Sequence, residues 1–254
     1  MSESLFATVS GCQSLEANLE ILANNLANAQ TTGFKRDNLT FESMLPRDTD
    51  QHQESFEKLF SLKAPIDDTV YNSLITKYTD HTPGPIKATN VKTDLALEGR
   101  GFFKVKVGDE IQYTRDGSLT LDAKGMLVTR EGHPVLGRSG EIRITDPDFI
   151  LAENGEVLQH GKPTDMLELA DFPGEHPPLL KIGANRFVLT NEEVRAQAPK
   201  ETRILQGRLE GSNVQTARSM TELIAVSRLY EAYNRTLQNY DKINSRAVVQ
   251  IAKV

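Results

Sequence analysis

Residues 22–37 read LANNLANAQTTGFKRD and place three asparagines, Asn24, Asn25 and Asn28, at the end of an amphipathic helix pattern. Asparagine weakens a helix because its amide competes for backbone hydrogen bonds, so a solvated face would more naturally carry Lys or Glu. At about 100° per residue, Asn24 and Asn28 lie opposite Leu26, and Asn25 lies about 60° from Asn28. The asparagines are therefore either exposed residues of a helix end or residues that face a second helix, where short amides bond between close backbones. We favour the second interpretation.

An apolar heptad pattern leads into this stretch from the N-terminus. Its first position holds Leu5, Cys12, Leu19 and Leu26, and its second holds Leu15, Leu22 and Ala29. This spacing is typical of a narrow coiled-coil seam. Thr31, Thr32 and Gly33 then predict a helix stop, because glycine accepts the left-handed conformation that closes a last turn. Phe34 follows where it can fold back on the helix end.

A second heptad pattern occupies the C-terminal end of the chain. Ser212-Asn213-Val214-Gln215 resembles a helix start, with a serine cap and a glutamine that returns the hydrogen bond. No Pro or Gly interrupts residues 212–254, which allows a helix of roughly 40 residues and ~60 Å. Such a helix cannot bury its seam alone, so we expect the two terminal helices to pair. The seam holds Leu223, Tyr230, Leu237, Asn244 and Ile251 at one position, and Val226, Tyr233, Tyr240 and Ala247 at the other.

The centre of the chain follows a different pattern. Residues 82–205 contain the turn sequence PGP, frequent glycines, and short runs such as FFKVKV between these turn signals, which indicates an antiparallel all-β domain. The predicted fold class is therefore α+β, with long, paired, coiled-coil-like N- and C-terminal helices and an all-β centre of short strands and Gly-rich turns. The predicted regions are a helix and turn over 1–45, a linker or extended arm over 46–81, the β domain over 82–205 and the C-terminal helix over 206–254.

Composition and motifs argue against several classes of function. The formal net charge of −6 disfavours non-specific nucleic-acid binding, which rests on clustered Lys and Arg. Cys12 is the only cysteine, and the five histidines lack metal-ligand spacing. No stretch approaches the ~20 apolar residues of a membrane span, and the N-terminus lacks the pattern of a secretory signal. We expect no catalytic site, no metal, no cofactor and no small-molecule substrate.

Two weaker patterns have structural explanations. Gly99-Arg100-Gly101 lacks the third glycine and the helix of a dinucleotide site. Residues 100–107, RGFFKVKV, faintly resemble the aromatic strand of an RNA-recognition module, but Phe103 stands where that motif needs a small residue. Phenylalanines in the core of a strand are the better interpretation.

Three segments together resemble a known family. ANNLANAQTTGF (23–34) is similar to the N-terminal signature of bacterial flagellar rod and hook subunits. DLALEGRGFFKV, with YTRDGSLTLDAKGMLVTREGHPVLG, over 94–137 resembles the β core of that family, and LEGSNVQ (209–215) with the following helix resembles its C-terminal segment. The resemblance covers about half of the chain. The length favours a rod subunit, and MTELIAVSRLYE (220–231) is more similar to the proximal than to the distal rod subunits.

The resemblance implies an axial protein that leaves the cell through the flagellar type III export apparatus without a cleaved signal. Such proteins polymerise with themselves and with other rod proteins into a helical rod, which crosses the periplasm within the basal body and transmits torque to the hook. The terminal helices are then expected to pair as an inner tube, with the β domain outside. The candidate packing residues are Asn24, Asn25, Asn28, Gly33, Phe34, Leu15, Leu19, Leu22, Leu26, Leu223, Val226, Tyr230, Tyr233, Leu237 and Tyr240.

Three alternatives stay open at this point. The first is a distal rod or hook-type subunit of the same family. The second is a soluble coiled-coil adaptor whose β domain binds a partner. The third is an enzyme with a novel site in the β domain, such as a peptidoglycan hydrolase, for which the sequence offers no paired-carboxylate or Cys/His signature.

Overall fold

The computed structural model describes residues 2–43, 72–172, 174, 177–190, 194, 196–199 and 201–251. The chain divides into two compact units. Unit 1 consists of Met1–Asn24, Asn38–Tyr78 and Ala217–Val254, and unit 2 consists of Asn25–Asp37 and Thr79–Thr216. The predicted linker or arm falls largely outside the described residues, although its last part forms a strand.

Unit 1 contains most of both helices that the described ranges hold. Helix α1 spans Ser2–Ala27 and helix α2 spans Thr216–Ile251. Strand β1 (Asp37–Ser43) pairs with β2 (Asn72–Thr79) in a two-stranded sheet. Helix α2 is as free of Pro and Gly as the sequence suggested, and it runs for 36 residues.

The expectation of long, paired, coiled-coil-like helices is wrong. The described seam residues of α2, which are Leu223, Val226, Tyr230, Tyr233 and Leu237, are only partly covered, and none is buried. Helix α1 does approach α2 at one point, because a Cβ added to Gly11 would lie 3.2 Å from Cε1 of Tyr233. A heptad pattern fixes which residues share a helix face. Whether that face becomes fully buried depends on a partner surface, and the described residues leave it only partly covered.

The predicted start of the C-terminal helix at Ser212 is also wrong. Helix α2 begins at Thr216, and the Ser212 hydroxyl instead accepts a hydrogen bond of 3.2 Å from the backbone N–H of Val214. Ser212 is buried in unit 2, together with Val214. Residues 211–215 are therefore held in the β unit and do not form the first turn of the helix.

Unit 2 is mostly β structure, built around one five-stranded antiparallel sheet. Its strand order is β14-β5-β6-β16-β15. Phe103 pairs with Thr114, and Phe187 pairs with Tyr113, so the register places alternate side chains on opposite faces. The strands are β5 (Phe102–Val107), β6 (Glu110–Thr114), β14 (Leu169–Ala170), β15 (Leu179–Gly183) and β16 (Arg186–Leu189).

Shorter antiparallel sheets complete unit 2. A three-stranded sheet has the order β11-β12-β13, and the remaining strands form pairs, β3 with β18, β4 with β17, β7 with β8 and β9 with β10. The strands are β3 (Ile86–Ala88), β4 (Leu95–Glu98), β7 (Leu119–Leu121), β8 (Leu127–Thr129), β9 (Leu136–Gly137), β10 (Gly140–Glu141), β11 (Ile150–Leu151), β12 (Glu156–Gln159), β13 (Lys162–Met166), β17 (Arg203–Gln206) and β18 (Arg208–Glu210).

The five-stranded sheet separates two apolar cores. Phe103 and Val105 belong to the larger core and are fully buried, whereas Phe102, Tyr113 and Phe187 belong to a smaller, aromatic core. Phe102 and Phe103 are neighbours in β5, and their opposite directions follow from the pleat of the strand. The phenylalanines of RGFFKVKV are thus core residues, as the sequence indicated.

Candidate functional site

The asparagine-rich stretch ends in a clasp between Asn25 and Asp37. The Asn25 side chain donates from Nδ2 to the carbonyl oxygen of Asp37 at 2.8 Å and accepts at Oδ1 from the N–H of Asp37 at 2.9 Å. Asn25 is buried, Asn24 is exposed and Asn28 is partly buried, with Oδ1 accepting from the Thr31 hydroxyl. The buried amide therefore bonds to the chain that follows α1, not to a second helix.

Gly33 occupies a position that only glycine fits. Its φ of 65° confirms the predicted left-handed conformation after the helix. An added Cβ would lie 2.5 Å from the carbonyl carbon of Arg115 and 2.7 Å from its oxygen. The Gly33 N–H donates to the carbonyl oxygen of Glu210 at 2.8 Å, and the neighbouring Thr32 hydroxyl donates to Oδ1 of Asp116 at 2.8 Å. Gly33 is therefore a docking point on the β unit as well as a helix stop.

The residues after Gly33 are held by the β15–β16 hairpin. Phe34 is buried, and Nζ of Lys181 lies 3.7 Å from the centre of its ring. The same ammonium donates to the carbonyl oxygen of Lys35 at 2.7 Å. Asn185, in the hairpin turn, donates from Nδ2 to the carbonyl oxygen of Thr32 at 2.7 Å. Phe34 thus packs against the hairpin of unit 2.

Asn213 joins the C-terminal signature to the N-terminal one. Its Oδ1 accepts from the N–H of Arg36 at 2.8 Å, and its Nδ2 donates to the carbonyl oxygen of Asp80 at 2.8 Å. Its own N–H donates to the carbonyl oxygen of Phe34 at 3.3 Å. We call residues 25–37 the N-terminal junction segment, residues 208–214 the C-terminal junction segment, and the two together the junction.

Three charged side chains are buried beneath the junction. Nζ of Lys35 lies 2.6 Å from Oε1 of Glu210, and Nη1 of Arg115 lies 3.3 Å from Oε2 of the same carboxylate. The side chains of Lys35, Glu210 and Arg115 are 0%, 1% and 3% exposed. We call these three residues the ionic cluster. Two cations share one carboxylate, and this arrangement is stable only if further polar groups satisfy the charges.

Backbone groups satisfy most of the ionic cluster, and Nε of Arg115 has no hydrogen-bond partner within the described residues. Lys35 also donates to the carbonyl oxygen of Thr82 at 2.7 Å, and Arg115 donates to that of Gly99 at 2.6 Å. The N–H of Gly84 donates to Oε1 of Glu210 at 2.9 Å. Burial lowers the pKa of Lys35, and the Glu210 carboxylate opposes this effect. Burial also lowers the pKa of Arg115, again against the attraction of Glu210.

His81 lies beside the ionic cluster, against the aromatic core. Its ring centre is 5.5 Å from that of Phe102 and 5.4 Å from that of Phe187. Its buried Nδ1 has no hydrogen-bond partner in the part of the chain that the structure describes. Burial, with smaller contributions from the nearby charges of Lys35 and Arg115, lowers the pKa of His81 to about 4. His81 is therefore neutral at pH 7.

The remaining candidate packing residues lie on the two helices. On the apolar seam of α1, Leu22 is buried, whereas Leu15, Leu19 and Leu26 are partly buried. The five described seam residues of α2 are all partly buried, and we call these five residues the α2 stripe. Tyr240 lies within α2, but its side chain falls outside the described part. The structure thus brings Asn25, Gly33 and Phe34 of the N-terminal signature together in unit 2.

Sequence reasoning missed five residues of this site. Lys35, Arg115 and Glu210 carry no sign of burial in the sequence, since charged residues are usually solvated. His81 follows the predicted arm and resembles an ordinary loop histidine. Asn213 did carry a signal, because it belongs to the LEGSNVQ segment, but there it was interpreted as part of a helix cap.

No metal centre or membrane span emerges from the described residues. Within the described ranges, no group of three His, Cys, Asp or Glu side chains is placed to hold a metal ion. Neither α1 nor α2, as far as they are described, is long and apolar enough to cross a membrane.

Comparison with known proteins gives the family. Three family profiles match, described as "Flagella basal body rod protein" over residues 7–35, "Flagellar hook protein FlgE/F/G D1 domain" over 96–162 and "Flagellar basal body rod FlgEFG protein C-terminal" over 205–250. The flagellar basal-body rod protein FlgF of Caulobacter vibrioides is 32% identical over 257 residues, which cover 100% of both chains. The chain belongs to the flagellar basal-body rod protein family.

Other members of the rod protein family align over similar lengths. The flagellar basal-body rod protein FlgG of Buchnera aphidicola subsp. Acyrthosiphon pisum is 29% identical, and that of Bacillus subtilis is 28% identical. Each alignment covers 96% of this chain and 97% of the relative. The family resemblance seen in the sequence is confirmed, and with it a place in the flagellar basal body. Each matched range contributes one member of the ionic cluster, Lys35, Arg115 and Glu210 respectively.

Proposed function

We propose that this rod-family protein is a structural, non-enzymatic subunit of the flagellar rod, of the FlgF type, in the proximal part of the rod. The proposal rests above all on the full-length alignment with the FlgF protein of Caulobacter vibrioides at 32% identity. In this role the subunit reaches the periplasm through the flagellar export apparatus and polymerises with itself and other rod proteins. The resulting rod transmits torque to the hook.

The partly covered stripes of the two helices are the surfaces through which we expect the subunit to polymerise. The α2 stripe contains leucine, valine and tyrosine side chains that unit 1 covers only in part. Full burial of such a side chain contributes ~1.5 to 3 kcal/mol, so completing the burial of each contributes a fraction of that. Because several side chains lie on one 36-residue helix, their sum favours contact with a neighbouring subunit.

We further propose that α2 becomes fully stable only in the polymer. Most of its described side chains are exposed, and an isolated helix is marginal in water. Ordering the backbone costs about 1 to 2 kcal/mol per residue, which a helix with little buried surface recovers only when it meets partners. Folding of the helical ends and assembly of the rod would then be coupled.

A charge placed on the α2 stripe tests this function. Leu237→Asp should abolish incorporation into isolated basal bodies and swimming in soft agar, because it buries a carboxylate in the subunit contact. Gln238→Asp, one residue away and exposed, is the matched control and should assemble normally. The calorimetric melting temperature of unit 2 should stay unchanged in both variants. Normal incorporation of Leu237→Asp would refute polymerisation through this stripe.

The position of the subunit in the rod needs a separate experiment. The similar coverage of FlgG proteins makes a distal subunit the second candidate. Expression in strains that lack either their FlgF or their FlgG protein distinguishes the two. Rescue of swimming only in the strain without FlgF supports the proposal, whereas rescue only in the strain without FlgG favours the distal position.

A further inference from the structure

We propose that the ionic cluster is a lock, which makes the docking of the N-terminal and C-terminal junction segments on the rest of unit 2 mutually dependent. Lys35 belongs to the first segment and Glu210 to the second, and Arg115 directly follows strand β6. Lys35 and Glu210 are 175 residues apart in the chain but bonded at 2.6 Å. The lock concerns the folding of unit 2 and does not depend on a role in the rod.

The charges explain why the N-terminal segment needs the C-terminal one. Glu210 is the carboxylate that contacts both Lys35 and Arg115. If the C-terminal segment leaves, two cations at 0% and 3% exposure lose their shared counterion. The more distant attraction of Asp80 on Lys35 and of Asp171 on Arg115 remains. Buried unpaired charges are costly, so Lys35 must also withdraw to water.

The same dependence holds in the opposite direction. If the N-terminal segment leaves, Glu210 keeps Arg115 but loses Lys35 at 2.6 Å. The carbonyl oxygen of Glu210 also loses the N–H of Gly33 at 2.8 Å. A fully buried carboxylate then depends on a longer contact of 3.3 Å, and on the N–H of Gly84, which belongs to neither segment. The C-terminal segment is thereby destabilised.

Backbone hydrogen bonds couple the two segments further. The N–H of Gly33 bonds to Glu210, the N–H of Asn213 bonds to Phe34, and the N–H of Arg36 bonds to the side chain of Asn213. These bonds join the segments directly and do not pass through the sheet. Loss of one segment therefore leaves polar backbone groups of the other unpaired. A chain in which either end has not yet docked keeps both segments open.

Hydrogen exchange measured by mass spectrometry on the full chain tests the lock. Glu210→Gln should raise exchange at least tenfold in residues 25–37 as well as in 208–214, and Lys35→Met should do the same. The double variant should exchange no faster than the faster single variant, within twofold. Arg36→Met is the matched control, because it removes a partly exposed ion pair with Asp80 from the same segment. It should leave exchange in residues 208–214 within twofold of the unmodified protein.

The lock is overturned if each variant affects exchange only near its own substitution. If each single variant speeds exchange only in its own segment, or if the effects of the two variants multiply, the segments dock independently. If a variant also unfolds residues 95–172, the lock is tested instead by hydrogen exchange of the unmodified protein in increasing urea. In that measurement, residues 25–37 and 208–214 should have the same free energy of local opening, and this free energy should depend on urea concentration in the same way. Different urea dependences would overturn the lock, and matching ones would support it.

Discussion

Replacing Asn25 by alanine isolates the energetic value of the clasp at the end of α1. The substitution leaves the N–H and the carbonyl oxygen of Asp37 without the bonds of 2.9 and 2.8 Å that the amide makes. Asn25 is 4% exposed, so water does not readily replace the amide. Each buried, unsatisfied polar group costs about 1 to 3 kcal/mol, and alanine returns only a few tenths of a kcal/mol as a better helix former. We expect a net loss of about 2 to 5 kcal/mol.

Scanning calorimetry of the full-length protein measures this loss. For a unit of this size, 1 kcal/mol shifts the melting temperature by about 2 to 4 °C, so Asn25→Ala should lower it by about 10 °C. Gln30→Ala is the control, because it removes an exposed side-chain amide shortly after the same helix. It should move the transition by no more than about 2 °C. Equal effects of the two substitutions would refute a specific role for the buried amide.

Three further predictions concern the junction. Gly33→Ala combines a left-handed φ with a steric clash on the backbone of Arg115, and it should destabilise unit 2 by about 2 to 5 kcal/mol in urea unfolding. The control Gly108→Ala, at a φ of 62° with open space around it, should cost only about 1 to 2 kcal/mol. Similar losses in the two variants would contradict the close approach of Gly33 to the Arg115 backbone. Because the pKa of His81 falls from 6.5 to about 4 on folding, the unfolded chain binds more protons than the folded chain between pH 4 and pH 6.5. The contribution of neutral His81 to the free energy of unfolding should therefore be fully present above pH 6.5. It should decrease by up to ~1.4 kcal/mol per pH unit as the pH falls towards 4. His81→Phe should flatten this part of the curve of unfolding free energy against pH, and an unchanged slope would exclude His81 as its source. Asn213→Ala should lower the free energy of unfolding by about 2 to 4 kcal/mol, because the N–H of Arg36 and the carbonyl oxygen of Asp80 lose their bonds to the amide. A decrease of the calorimetric melting temperature by less than about 2 °C would show that water replaces the amide.

Local patterns in the sequence predicted the helices and the β centre well. The absence of Pro and Gly after residue 212 predicted a long helix, and α2 follows as a 36-residue helix. The glycine stop after α1 is confirmed by the φ of Gly33. The alternation of FFKVKV predicted a strand with core phenylalanines, and Phe102 and Phe103 enter the two cores. These features depend on neighbouring residues, whose preferences the sequence states directly.

The heptads led to a wrong partner because they describe one surface only. The spacing places Tyr230 and Leu237 on one face of α2, and both side chains are partly buried. It could not show that the described residues of the chain leave this stripe only partly covered. A seam defined by its own periodicity fits any apolar surface of suitable shape, on the same chain or on another.

The sequence by itself determined that both ends of the chain are helical, that the centre is β structure and which family the chain resembles. Each of these rests on local preferences or on the order of short motifs. Only the tertiary structure decided where the motifs meet. It joined Asn25 to Asp37, Gly33 to Glu210, and Lys35 through Glu210 to Arg115. Charged side chains are normally solvated, so a sequence gives no reason to bury three of them. Burial becomes favourable here only because segments 175 residues apart supply opposite charges and backbone partners at the same place.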